Sequence, residues 1–564
     1  MERNAIAATV LVIMILLGYQ WYLSRLESPV QEGSRTAATP SETQKGVSTQ
    51  TVQPQPAQPI VSAAKQTTRA TTYTPTATLG LTPRDVTVDT PLMRIVFTTA
   101  GAHVTSWQLK SYRLDSGAPV DLVAFHGASE TPGPLAAWAE TDQAQGAYEV
   151  DKKSLDLTEG NATGTLTFKN VSGAGVQLEK QLTFHANRYD VEVGITVRNL
   201  SEGETTVQPR IVWGPGLRNS KDKGASTIHP PTLWVDGKRV QEELSKITGE
   251  KLISGKVSWA ALQDTYFVAA LLPKEEGLNA FVVKGTEDQP IVGLIETKKM
   301  LQPGEDLTFA AKAFAGPRDL ELLRGEGQHL DQLIDLGWFD FLARPALWLL
   351  KFLYHFTGNY GIAIILVTIL QKVAFYPLTM KSMKSMQAMQ AIQPKVQALQ
   401  ERYKNNPQKK QEETMALYKK HGVNPMGGCL PMLVQIPIFI ALYNALSNSV
   451  ELWQAHFLWI RDLTQPDSLF KMTLWGAETN VGNLLGLLMG VSMWVQQKMS
   501  PTTGDPRQAQ MMLWLMPILF TFMFWGFPSG LVLYWFVNNV LQIGQQWLIN
   551  RKTARPPAVE GQAA

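Results

Sequence analysis

A single cysteine, Cys429, stands in a chain of 564 residues, so no intramolecular disulfide can form. Any exported part must hold together by its own core. Net charge is equally scarce: 51 Lys and Arg face 48 Asp and Glu, a balance of +3 that excludes a strong global basic field but not local patches. There is no GxxxxGK(S/T), no GxGxxG and no HExxH. The eight histidines, at 103, 126, 185, 229, 329, 355, 421 and 456, lack ligand spacing, and Cys429 in "MGGCLPM" has no CxxC partner. No catalytic residue, metal site or cofactor is therefore expected, and the chain is read as a non-enzyme.

What is present divides by composition, and a mean hydropathy of −0.08 averages unlike parts. Ala5 to Leu23 is free of charge and close to the ~20 residues a spanning helix needs. It ends in Tyr19-Gln20-Trp21-Tyr22, bulky where a cleavage site wants small residues, so residues 1–27 are expected to be an uncleaved anchor with Arg3 inside. Residues 28–78, rich in Gln, Thr, Pro, Ala and Ser, read as a disordered tether. From 79 to 318 the signal is β: "RYDVEVGITVRNL" places Tyr189, Val191, Val193, Ile195 and Val197 on one face. Such strands imply a large antiparallel sandwich, with "VSWAALQDTYFVAALLP" (257–273) as its inner layer.

Residues 319–357 contain "WFDFLARPALWLLKFLYHF", expected to be an amphipathic segment broken at Pro345 and lying along a membrane surface. Five candidate spans follow, at 358–379, 427–449, 481–498, 510–527 and 529–549, within a unit taken as 358–549. The loop 380–426 carries nine Lys/Arg against three Glu, whereas 450–478 carries only Arg461 and Lys471. The positive-inside rule makes the basic loop cytoplasmic. With the anchor this gives six spans, both termini inside, residues 28–340 outside, and 550–564 as a short cytoplasmic tail.

In "LVTILQKVAFYPLTMKSMKSMQAMQ" (366–390), Lys372 lies inside an almost wholly apolar run from Tyr360 to Pro377, after which Lys, Met and Gln alternate. A lysine at the centre of a helix in lipid costs about 2.5–3.5 kcal/mol. Snorkelling to the inner interface is one explanation, since Lys381 is only ~12 Å away at helical rise. The other is a wet cavity. Thr368 is one turn back, Gln371 is adjacent, and Gln435, Asn444, Asn538, Asn539 and Gln542 lie at depth in other spans. No carboxylate falls inside any span to pair with Lys372, which argues against ion-coupled transport and leaves a cation able to attract an anionic group. In the loop below, Met380, Met383, Met386 and Met389 recur every three residues. They form either an adaptable apolar surface or the packing face of a helical hairpin divided near "KNNPQKK". Its basic residues, among them Lys395, Arg402, Lys409 and Lys410, suit lipid headgroups or ribosomal RNA.

The stretches "YPLTMKSMKSMQAMQAIQPKVQALQERY" (376–403), "LYKKHGVNPMGGCLPMLVQIPIFIALY" (417–443), "QQKMSPTT" (496–503) and "FPSGLVLYWFVNN" (527–539) resemble, in this order, the YidC/Oxa/Alb family of membrane protein insertases in its Gram-negative form. "WAALQDTYFVAALLP" is similar to that family's large periplasmic domain. The resemblance covers essentially the whole chain. It implies a polytopic α-helical inner-membrane protein with a five-helix core and a periplasmic β super-sandwich. It also implies a hydrophilic groove open to cytoplasm and lipid but closed outside, with a positive residue, usually Arg, at the position of Lys372. Thr368 and Gln435 match groove positions, Tyr534 and Trp535 a client-facing part of the last helix, and Asn538 follows them. Nascent membrane proteins, the Sec translocase, a transiently bound ribosome and lipids are the implied partners; DNA is not. Two rivals use the same residues: a polytopic transporter or channel, which needs a path through both leaflets, and an anchored periplasmic sugar-binding protein, which needs residues 79–318 for its activity.

Overall fold

Along Asp190–Asn199 the side chains alternate as a pleated strand requires: Val191, Val193, Ile195 and Val197 turn inward and are essentially inaccessible. In the computed structural model, which describes residues 82–114, 116–123, 132–218, 229–285, 289–423, 430–474, 477–499 and 506–553, this strand pairs antiparallel with Val176–His185 and Asp306–Pro317. The three belong to a nine-stranded sheet that runs from Lys238–Gln241 at one edge to Glu149–Val150 at the other. The expected inner layer lies in it: Val257–Gln263 pairs with Phe267–Pro273, and the latter is buried at every position.

Two five-stranded sheets pack on this one. The first contains Met93–Thr98 and brings Phe97 to 5.6 Å from Phe168 and 6.1 Å from Phe184. The second contains Pro290–Ile295 and Arg210–Trp213 and lies against strands 257–273. Trp107 meets Trp213 edge-on at 5.5 Å and ties the two smaller sheets together. Lys180 is fully buried in this core, its Nζ donating to the carbonyls of Ala102 and, at 2.8 Å, Leu135.

Nine helices follow among the described residues: α1 (Leu320–Glu326), α2 (Asp340–Thr357), α3 (Tyr360–Ala374), α4 (Tyr376–Arg402), α5 (Pro407–Lys420), α6 (Leu430–Ser447), α7 (Leu484–Met499), α8 (Pro506–Phe524) and α9 (Ser529–Thr553). Sheets and helices form one compact unit. Helix α9 packs against α3, α6 and α7, and α2 packs on α3 and α6.

Three expectations change. Helix α2 is not broken at Pro345 but runs through it. The missing N–H sits near the helix start, where one bond to Phe341 is lost, and burial of Ala343, Leu347 and Leu350 outweighs it. The opposite face leaves Phe341, Trp348, Phe352 and Phe356 exposed, as an interfacial helix would. The span expected at 358–379 ends at Ala374, because Pro377 opens a new helix bent 62° from the first. No single described helix is long and apolar enough to cross a membrane, though α3 and α4 together pass that test. Helix α6 has 18 residues, about 27 Å at helical rise against a ~30 Å hydrocarbon core. Helix α9 has 25 residues but carries Asn538, Asn539, Gln542, Gln545 and Gln546. The anchor expected at 1–27, the tether at 28–78, Cys429 and the tail beyond Thr553 lie outside the described residues.

Candidate functional site

Asn359 caps α3, its side chain accepting from the Ile362 amide at 3.2 Å. The helix then descends through Ala363, Ile364 and Val367, all buried, to the bend at Phe375. Lys372 falls in its last turn, where a cation favours the helix dipole. Its ammonium reaches sideways to α9 and donates to Gln542 Oε1 at 2.8 Å. No carboxylate of the described residues pairs with it.

One residue back, Gln371 begins a polar ladder across the bundle. Its Nε2 donates to Gln435 Oε1 on α6 at 3.5 Å, and Gln435 Nε2 donates to the Tyr534 hydroxyl on α9 at 2.6 Å. Gln371 Oε1, Asn538 Oδ1 and Gln545 Oε1 are buried and accept no hydrogen bond from the described protein. Asn539 Nδ2 donates to Ser492 Oγ on α7 at 3.2 Å. A recess of 260 Å³ opens between α3 and α9, lined by Ile369, Lys372, Val373, Tyr376, Leu541 and Gln545. Helices otherwise built of apolar residues thus meet along a row of amides, one phenol and one ammonium. Unsatisfied amide oxygens in such a row bind water or a polar chain, since burial without a partner costs about 1–3 kcal/mol each.

The structure therefore joins Lys372, Gln435 and Tyr534 in one region, with Asn538 on the same helix as Gln542. Thr368 is fully buried, but its hydroxyl is spent on the Ile364 carbonyl at 2.7 Å. Trp535 packs instead of lining the ladder: its ring lies 4.8 Å from Phe439 at 88°, 5.3 Å from Phe524 and 6.4 Å from Phe520. Asn444, read as a pocket amide, donates to the Leu336 carbonyl at 2.8 Å. Gln371 and Gln542, legible in the sequence only as amides at depth in a span, are the direct partners of Gln435 and Lys372.

Below the bend, α4 and α5 form the expected hairpin, with Asn406 capping α5 through the Lys409 amide at 3.1 Å. Met389 is buried with Ile392, Val396 and Val423 against Leu417 and Tyr418, and Met383 is buried too. Met386 is half-buried, so the methionine row serves packing at two of these three positions. Lys395, Arg402 and Lys409 are exposed and Lys410 half-buried, with Lys395 Nζ 3.2 Å from His421 Nε2. No group of three or more potential metal ligands is found among the described residues.

Two family profiles match the chain: "60Kd inner membrane protein" over residues 352–556 and "YidC periplasmic domain" over 85–349. The "Membrane protein insertase YidC" of Syntrophus aciditrophicus is 37% identical over 98% of this chain and 100% of its own length. That of Geobacter sulfurreducens is 38% identical over 99% of this chain and 100% of its own length. A crystal structure of an active YidC insertase with its first transmembrane domain resolved is 20% identical, covering 81% of this chain and 91% of that one with a TM-score of 0.36. Full-length identity above one third, together with matches to both halves of the chain, shows that it belongs to the YidC family of membrane protein insertases.

Proposed function

We propose that this inner-membrane protein inserts newly made membrane proteins through the polar interior of its helix bundle, with Lys372 as the fixed charge. The observation that carries the reading is an ammonium held by an amide, Gln542, and by no described carboxylate, beside the Gln371–Gln435–Tyr534 ladder. A neutral partner leaves the charge uncancelled. At ~4 Å and an effective dielectric of 20, an ammonium and a carboxylate attract by about 4 kcal/mol. That is comparable to the ~2.5–3.5 kcal/mol an acidic side chain costs at mid-bilayer. The acidic outer tail of a client enters the interior, where amides and water replace part of its lost hydration. The membrane potential adds about 2.3 kcal/mol per charge per 100 mV as the tail crosses. The client's hydrophobic segment leaves sideways into lipid, driven by about 25 cal/mol for each Å² of apolar surface removed from water. No step needs a catalytic residue or a nucleotide.

The topology we assign has six spans, both termini cytoplasmic, residues 28–340 periplasmic with the β super-sandwich, and α2 at the outer interface. The hairpin of α4 and α5 meets the client and, transiently, the ribosome through Met386, Lys395, Arg402, Lys409 and Lys410. The Sec translocase and membrane lipids are the other partners.

The test is protease protection of a small single-span client with an acidic outer tail, in vesicles holding only this protein. Wild type and Lys372→Arg protect the tail and Lys372→Ala does not. Equal protection by all three would remove the charge from the mechanism, and protection by none would remove autonomous insertion.

A further inference from the structure

The outer end of the bundle is held by a cluster that the polar interior does not use. Lys351 on α2 donates to Asp319 Oδ2 at 2.9 Å and pairs with Glu451 Oε1 at 2.6 Å. Asp319 follows the last strand of the β domain and caps α1, its other oxygen accepting from the Glu321 and Leu322 amides at 2.7 and 2.9 Å. Glu451 stands in the loop after α6, where its second oxygen accepts from the Ser449 hydroxyl. One ammonium thus ties together the exit of the β domain, the interfacial helix and the outer loop of the bundle. The three side chains are only 19, 16 and 12% exposed, so the ties are poorly screened by water. Burial pushes the Glu451 carboxyl up. Burial acts on Asp319 in the same sense, but the Leu322 amide and Lys351 outweigh it and hold that carboxyl below its ordinary range.

What lies under α2 gives the cluster a purpose. Ala346, Leu347 and Leu350 close down on Ile364 and Val367 of α3, on Leu442, Ala445 and Leu446 of α6, and on Tyr534 of α9. Tyr534 is also the member of the ladder that accepts from Gln435. An apolar seam therefore separates the ladder from the side where α2 and the β domain sit, and α2 is its outer wall. Tyr354 at the far end of α2 stacks on Tyr360 of α3 at 3.9 Å and 6°.

We propose that Lys351 is a positioning residue that keeps α2 closed over the outer end of the polar interior. It acts by bridging two largely buried carboxylates contributed by separate segments. Without its ammonium, Asp319 and Glu451 lose their shared tie to α2 and are left buried without that partner, and α2 keeps its apolar seam, the Tyr354–Tyr360 stack and the Arg344–Asp331 pair. The inference rests on reading that interior as the client's path.

The test reads closure directly, in full-length protein reconstituted with the β domain facing out. In a Cys429→Ser background, Ala445→Cys places a thiol in the seam and Leu252→Cys places one on the exposed face of the β domain. A membrane-impermeant maleimide is added from outside. With Lys351 in place the seam thiol labels slowly. Lys351→Met speeds its labelling by about tenfold or more, as expected when a buried charge loses its partner. Lys351→Arg keeps labelling slow, because either cation satisfies both carboxylates, and the Leu252→Cys rate is the same in every background. Glu451→Gln preserves volume and the Lys351–Asp319 pair, and gives an intermediate rate even where the Met variant folds poorly. Labelling of the seam that stays slow in both Met and Gln variants would overturn the proposal, as would an Arg variant that labels as fast as Met. Insertion is not the readout. Fast labelling in Lys351→Met beside normal insertion by Lys372→Ala would leave the latch standing and remove only the path.

Discussion

Lys372 and Gln542, 170 positions apart in sequence, meet at 2.8 Å with the ammonium donating to the amide oxygen. An acidic partner in place of Gln542 would cancel the charge and freeze the site as a structural ion pair. An amide fixes the direction of the ammonium and leaves its field intact, which is what attraction of a passing carboxylate requires.

Gln542→Leu removes that acceptor with little change in volume. A hydrogen bond to a charged group contributes about 1.5–3 kcal/mol. We expect an acidic-tailed client to insert roughly tenfold less efficiently, because an unheld ammonium turns towards the inner interface, where the side chain can snorkel. A client with a neutral tail should insert as before. Protease protection of the two clients side by side checks this, and equal losses for both would assign Gln542 to packing.

Tyr534→Phe tests the ladder. The hydroxyl accepts from Gln435 at 2.6 Å, and Tyr534 is 1% exposed, so its loss strands the amide donor of half-buried Gln435. The cost should be about 1–3 kcal/mol, visible as a lower melting temperature of the purified protein in detergent. Gln435→Leu combined with Tyr534→Phe should recover part of the loss, since removing both partners leaves nothing unpaired. A double variant no more stable than Tyr534→Phe alone would show that the two residues are not coupled.

Periodicity carried the β domain because one buried face per strand forces alternation, and Val191 to Val197 obey it. Helix positions were legible from apolar runs, but helix rotation was not. In α6 the apolar residues are spread around the whole circumference, so nothing in its pattern distinguishes a face turned to Leu336 from one turned to the ladder. That is why Asn444 and Gln435 looked alike in sequence and do different work. Tyr534 and Trp535 part for the same reason: one position along the helix is a rotation of about 100°, enough to move a ring from the ladder into the cluster of Phe439, Phe520 and Phe524. The bend at Phe375 did have a signal, Pro377, which marks a first turn better than it marks the interior of a span. The Asp319–Lys351–Glu451 cluster had none, because its members are far apart in sequence and individually ordinary.

Lys180 gives the β domain a pH dependence of definite sign. Burial pushes its ammonium down to about 7, against an ordinary value of 10.5 in the unfolded chain. Between pH 7 and 10.5 the unfolded state therefore binds more protons, and stability rises with pH across that window. Below pH 7 both states are protonated and the contribution is flat. Lys180→Met abolishes the slope, while leaving the Ala102 and Leu135 carbonyls without their donor. Pulse proteolysis of the full-length protein in urea at pH 7, 8, 9 and 10 should show the wild-type midpoint gaining on the Met variant as pH rises. A constant gap between them would mean that Lys180 keeps its proton throughout.

The hairpin of α4 and α5 separates packing from contact. Met389 is 7% exposed among Ile392, Val396 and Val423, whereas Lys395 lies on the open face of the same helix. Met389→Ala deletes core contacts in a small cluster, and the lower end of the usual 2–5 kcal/mol range is enough to loosen α4 from α5. Limited proteolysis should then cut faster in the turn around residues 403–406, and insertion should fall with it. Lys395→Ala and Lys409→Ala remove exposed charge without touching the cluster, so protease resistance should not change. If the hairpin meets the ribosome, those variants weaken ribosome association in low salt, and the difference from wild type shrinks as salt rises. A Met389→Ala hairpin as resistant as wild type, combined with lost insertion, would instead return Met389 to the client-facing surface and make its burial a resting state.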